Sequence, residues 1–139
     1  MNREIKFNAF DKKYEIMLHN VWFDKISISS YVYNKEIDSR KLIKTPREDC
    51  ILLQFTGLKD KNGKDIYEGD ITKQTPYNSF GIVKFYQKCA SFEIKGKTDW
   101  DWSFPLSQYS GEFEIVGNIH TATKEQLKEW GIEKWMIIE

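Results

Sequence analysis

Cysteine is scarce in this 139-residue sequence, which carries only Cys50 and Cys89. Two isolated thiols do not build a secreted disulfide framework and suit a reducing compartment, with a single Cys50–Cys89 bridge as the alternative. Histidine is equally thin, with only His19 and His120. Gly-x-Ser-x-Gly, P-loop and His-Glu-x-x-His patterns are missing, and so is any paired Cys-x-x-Cys. That removes the usual sequence grounds for nucleophilic, phosphate-transfer or zinc chemistry. Neither histidine has a local motif linking it to a cysteine, so both read as partly exposed strand-end residues. Net charge is also lacking: 21 basic and 21 acidic side chains cancel, which argues against a broad polyanion-binding surface. No apolar run reaches the roughly 18 residues that span a bilayer. Charges at Lys6, Asp11, Lys12 and Lys13 leave no room for the apolar stretch of a signal peptide. The expectation is a soluble, cytoplasmic, non-enzymatic protein with no cofactor and no metal.

Aromatic residues, by contrast, are plentiful. Nine Phe, seven Tyr and five Trp, within a hydrophobic share of 40%, can bury a real core and exclude whole-chain disorder. The length fits one domain. Its dominant periodicity is two, the mark of half-buried strands. Ile5, Phe7 and Ala9 alternate with polar residues, Asp11-Lys12-Lys13 supplies a turn, and Tyr14, Ile16 and Leu18 alternate again, giving a first hairpin. Residues 26–33 form a β-branched and aromatic strand, whereas 34–49, polar and mixed in charge, read as a surface connection. Ile51, Leu53 and Phe55 share one face of a strand ending at Gly57, and Asn62-Gly63 is a tight-turn signal. Further strands begin at Ile71 and cover 80–86 and 89–95, with a turn at 76–79. Phe113, Ile115, Gly117 and Ile119 line one face of a late strand. Only one segment reads as helix: Thr123 with Gln126 fits a capping box, Gly131 a terminal glycine, and Leu127 and Trp130 an apolar face. Many short strands and one short C-terminal helix suit a small barrel or roll. The organisation reads as one domain over 1–139, with a β-rich N-terminal part (1–49), a barrel part (50–120) and a helix with an apolar tail (121–139).

Three stretches invite a chemical reading. Asp65, Glu68 and Asp70 could hold Mg²⁺ or Ca²⁺ through oxygen ligands, or simply shape a turn around Gly69. Asp99-Trp100-Asp101-Trp102-Ser103-Phe104 would, as a strand, point Trp100, Trp102 and Phe104 to one side. Those rings either complete a core or form a partner-binding row. The tail Trp135-Met136-Ile137-Ile138 is apolar and reads as a docking element, onto the domain itself or onto a second copy. Arg40, Lys41, Lys44 and Arg47, flanked by acids, read as a solvated loop.

REIKFNAFD at 3–11, LLQFTGLKDKNGKDIYEGDI at 52–71 and FEIVGNIH at 113–120 occur in this order. Together they resemble the YopX family of small proteins of phages and prophages. The specific part runs through Gly57, Asp60, Asn62-Gly63, Ile66-Tyr67 and Glu68-Gly69-Asp70. Where relatives often carry Trp in the opening motif, this chain has Phe10. The resemblance implies an all-β fold with an SH3-like barrel or roll, to which the first strands, read from their alternation, add an N-terminal β-hairpin extension. It also implies action inside a bacterial cell, and it transfers no catalytic residue. A motif of turns and core residues specifies a fold rather than a reaction. The function expected is that of a non-enzymatic binding or regulatory module acting on a protein partner through Trp100, Trp102, Phe104 and Trp135, with self-association through the tail as an addition. The alternative is a nucleic-acid-binding accessory factor of phage replication or transcription, which the acids around Trp100 disfavour.

Overall fold

The computed structural model describes residues 4–74, 78–97 and 101–133. Its elements are mostly β and its contacts divide into two units, Met1–Phe55 and Thr56–Glu139.

The N-terminal unit begins with the expected hairpin. Phe7–Asp11 (β1) pairs antiparallel with Ile16–Leu18 (β2). The strand runs one residue past Phe10 because Asp11 closes it. This buried carboxylate accepts hydrogen bonds from the backbone N–H groups of Lys13 and Tyr14 and from the Thr45 hydroxyl, an Asx-type turn that replaces a glycine. On its other side β1 pairs with the start of Cys50–Lys59 (β6), so the hairpin is built into a sheet. Trp22–Phe23 (β3), Ser27–Asn34 (β4) and Ser39–Pro46 (β5) form a separate three-stranded sheet. β5 corrects the sequence reading of 34–49 as a connection: only the hairpin turn at 35–38 and a 3-10 segment over Arg47–Asp49 lie outside the strands. Ala9, Leu18 and Ile28 make the core, with Val21, Ile43 and Leu52 packed against it.

β6 continues to Lys59 rather than stopping at Gly57, whose φ of +86° is accommodated within the strand. Its end pairs with Asp65–Tyr67 (β7), and Thr56 donates from its hydroxyl to the Ile66 carbonyl at 2.8 Å. The remaining strands are Asp70–Gln74 (β8), Ser79–Tyr86 (β9), Ser91–Lys97 (β10), Asp101–Pro105 (β11) and Phe113–Asn118 (β12). They form a five-stranded antiparallel sheet in the order β11-β10-β9-β8-β12. Both faces are used. Val83 and Ile94 point into a core with Ile66, Leu106 and Phe113, while Ile71 and Ile82 point into a second with Ile132. Each fully buried side chain of this kind contributes roughly 1.5–3 kcal/mol.

The helix Lys124–Glu129 covers that second core, and both of its ends are secured. Thr123 and Gln126 exchange the two bonds of a capping box. At the other end Ile132 N–H donates to the Leu127 carbonyl and Gly131 N–H to that of Lys128, with Gly131 at φ +68°. That is a Schellman closure, with Leu127 and Ile132 in the same apolar cluster. The sequence reading of one helix needs a correction: a single turn, Leu106–Tyr109 (α1), precedes β12 and drives Leu106 into the first core, so Lys124–Glu129 is α2. No helix among the described residues is long and apolar enough to cross a membrane.

Candidate functional site

The long motif at 57–70 builds structure from its carboxylates. Asp60, buried at the end of β6, accepts from the N–H groups of Asn62 and Lys64 through one oxygen and from Ile115 N–H on β12 through the other, each at 2.9 Å. Burial raises this carboxyl, but the three backbone donors outweigh it and hold it below the usual carboxylate range. Gly63 completes the turn at φ +80°. Asp70 is locked in similar fashion. Tyr67 N–H donates to one of its oxygens at 2.8 Å and Asn118 Nδ2 to the other at 3.0 Å. Burial is the larger influence here and pushes the Asp70 carboxyl up to about 6. Asn118 also donates to the Glu68 carbonyl and accepts from His120 N–H, joining the β7–β8 turn to the end of β12. Gly69, at φ +79°, lies against Ile119 and Asn118, while Ile66 and Tyr67 are core.

Asp65, Glu68 and Asp70 are thus not gathered on a common point. Asp65 pairs with Lys59 at 2.9 Å and Asp70 faces Tyr67 and Asn118. No group of three or more His, Cys, Asp or Glu among the described residues is arranged to hold a metal ion. Cys50 and Cys89 are both free. Burial, with Asp11 and Asp49 adding to it, raises the Cys50 thiol and makes it a poor nucleophile. His19 is exposed; His120 is half-buried, and burial lowers its pKa.

Of the four aromatic residues expected to bind a partner, Trp100 and Trp135 lie outside the described residues, as does the 135–138 tail. Trp102 and Phe104 sit on β11 with their rings 5.5 Å apart. Trp102 packs against the first core, over Gly96 of β10, where a Cβ would overlap the indole. Phe104 at the sheet edge is 44% exposed. The opposite face of the same strands carries a polar recess of about 250 Å³, lined by Lys84, Tyr86, Glu93, Lys95 and Ser103. Ser103 donates to Glu93 across the strands at 2.8 Å.

The densest exposed apolar surface lies instead on the β3–β4–β5 sheet. Tyr31 stands opposite Leu42 and Tyr33 opposite Arg40, and the ring of Trp22 lies 5.3 Å from that of Tyr31. Trp22, Tyr31, Tyr33 and Leu42 are about half exposed, and Ile37 at the hairpin tip is 68% exposed. At the tip Tyr33 Oη donates to the Asp38 carboxylate, and this bond raises the Tyr33 pKa. The cations once assigned to a loop, Arg40, Lys41 and Lys44, are strand residues of β5. This surface leaves only a weak sequence signal, since Tyr31-Val32-Tyr33 and Leu42-Ile43 run consecutively on either side of Lys35-Glu36-Ile37-Asp38 instead of alternating with polar residues. It was hidden because neither run buries a face along its outer half.

A profile of the family described as "YopX protein" matches residues 6–125. No curated protein matches the chain. Among solved structures, the chain is similar to "protein EF1440 from Enterococcus faecalis", a crystal structure, with a TM-score of 0.51 and 23% sequence identity. The likeness covers 95% of this chain and 100% of that one. At this identity it shows the fold alone.

Proposed function

The chain belongs to the YopX family, and from that membership we propose that it is a non-enzymatic binding or regulatory module of a phage or prophage, acting on a protein partner in the bacterial cytoplasm, on an SH3-like barrel scaffold. The observation that carries this reading is the exposed row Trp22, Tyr31, Leu42 and Tyr33 on a sheet that needs none of them for its core. Trp, Tyr and Arg are the side chains on which protein interfaces concentrate their energy, and half-exposed rings with few rotatable bonds lose little entropy when covered. Phe104 supplies a smaller exposed ring in the C-terminal unit. Purifying the tagged chain from its bacterial host, with and without nuclease, tests the reading. A specific protein that persists after nuclease treatment is the expected result. Loss of all co-purifying protein on nuclease treatment would overturn it.

A second reading, a nucleic-acid-binding accessory factor, draws support from the Trp22–Tyr31 ring pair lying beside Lys44 and Arg40. It predicts a steep loss of oligonucleotide affinity with salt. A salt-independent or undetectable interaction would remove it.

A further inference from the structure

The outer half of the β4–β5 hairpin is open on both faces. Tyr31, Tyr33 and Leu42 are exposed on one, and Val32 on the other. β5 pairs with β4 along all eight of its residues without a register shift, and among the described residues no strand lies on its other side. An edge of this kind turns a row of backbone N–H and C=O groups outward. Natural edges are commonly kept short, bulged, covered or charged; this one is long and regular, and its cations, which deter a second copy of itself, leave it open to a strand of opposite charge. It is distinguished by charge. β4 and β5 together carry Arg40, Lys41 and Lys44 and no carboxylate. The acids of the hairpin, Glu36 and Asp38, are confined to the tip, where Asp38 receives the Tyr33 hydroxyl. Asp24 is near enough to Lys44 to be lowered in part by it, after the backbone N–H groups of Ile26 and Ser27. Arg40 and Lys41 lie farther along the strand.

We propose that β5 is a docking edge for an extended acidic segment of a protein partner, which joins the β3–β4–β5 sheet as a fourth strand. The inference rests on the protein-binding reading above and names the chemistry of its partner. Strand addition supplies main-chain hydrogen bonds whatever the partner's sequence. Arg40 and Lys44 on one face of β5 and Lys41 on the other then select carboxylates and speed encounter, while Leu42, between Arg40 and Lys44, covers an apolar side chain. Two other occupants fit less well. The rings a nucleic acid could stack on, Trp22, Tyr31 and Tyr33, stand on β3 and β4 rather than on the β5 edge, and the tip carboxylates repel phosphate. A second copy of β5 would set cation beside cation, which destabilises a strand pair.

The test begins by panning the full chain against a random peptide library. Enriched peptides are then made with a fluorescent label and titrated against the chain and its Arg40→Glu/Lys41→Glu/Lys44→Glu variant, with an oligothymidylate of matching length alongside. The proposal expects enriched peptides of the pattern acid-x-apolar-x-acid, the spacing that meets Arg40, Leu42 and Lys44 on one face of β5. It expects affinity at least about tenfold weaker in the variant, at an unchanged melting temperature, and slower amide hydrogen exchange over residues 40–45 on binding. Should charge reversal impair folding, Arg40→Gln/Lys41→Gln carries the same comparison. Failure to enrich any peptide, peptides without acidic bias, equal binding to the variant, or binding that leaves β5 exchange unchanged would each overturn it. Preference for the oligothymidylate would also overturn it, as would concentration-dependent protection of β5 without peptide, the mark of a second copy. A host protein retained equally by wild type and variant would overturn the docking edge alone. Absence of any nuclease-resistant partner would instead remove the reading beneath it.

Discussion

Asp60 and Asp70 are acidic residues whose work is to hold turns. Asp60 gathers three backbone donors, the farthest 55 residues away from it in sequence. Charge-assisted bonds of this sort contribute about 1.5–3 kcal/mol each where the donor is otherwise stranded. Asp60→Ala should therefore cost about 3 kcal/mol, two of its donors being able to turn to water, and a urea titration would read it. A loss below about 0.5 kcal/mol would mean that the clasp is idle. Asp70 predicts a pH effect whose sign follows from its raised pKa. Between the ordinary carboxylate range and about 6, the folded chain keeps a proton on Asp70 that the unfolded chain has released. Stability from this group is complete below that window and falls as pH rises through it, by up to about 3 kcal/mol. His120, lowered by burial, acts oppositely: its contribution is lost as pH falls through the ordinary histidine range. The difference between wild type and Asp70→Asn isolates Asp70, and the variant should lose the downward slope. An identical slope in both would contradict the assignment. Gly96 gives a packing prediction. Gly96→Ala must displace the Trp102 indole, costing about 1–3 kcal/mol with a red shift of tryptophan emission.

Among the elements, α2 was legible in sequence to the residue, because its start and stop are local chemistry. Thr123, Gln126 and Gly131 each have one role that spacing alone reveals. Thr123→Ala should destabilise the C-terminal unit by about 1 kcal/mol, measurable as a lower melting temperature; no change would mean the cap is dispensable. The paired strands β9 and β10 were legible because each buries one face, so that Ile82, Val83 and Ile94 impose the alternation. β5 was not legible. Its side chains are nearly all exposed, so nothing selects an apolar period, and its cations looked like those of a solvated loop. α1 is one turn long, too short to show a helical period, and only Leu106 anchors it. Trp102 could be read two ways because a row of rings has the same period whether it faces core or water; the overlap with Gly96 depends on strand pairing across β10 and β11.

For the whole molecule, the family motif that is plainest in sequence is the part most occupied with folding, whereas the surface available for binding was nearly silent. The two have different physical origins. Turns and core leave glycine, carboxylate and alternation signals, while an exposed sheet face has no internal neighbour to write its pattern. If the β4–β5 surface serves a partner, it is dispensable to the fold. Tyr31→Ala/Leu42→Ala removes one exposed cross-strand pair, worth about 0.2–1 kcal/mol to the sheet. The decisive measurement is capture of the nuclease-resistant partner from the bacterial host by this variant, at a melting temperature within a few degrees of wild type. The expected result is a folded variant that no longer retains the partner. Full retention by the folded variant, or collapse of the fold on losing these two side chains, would contradict it.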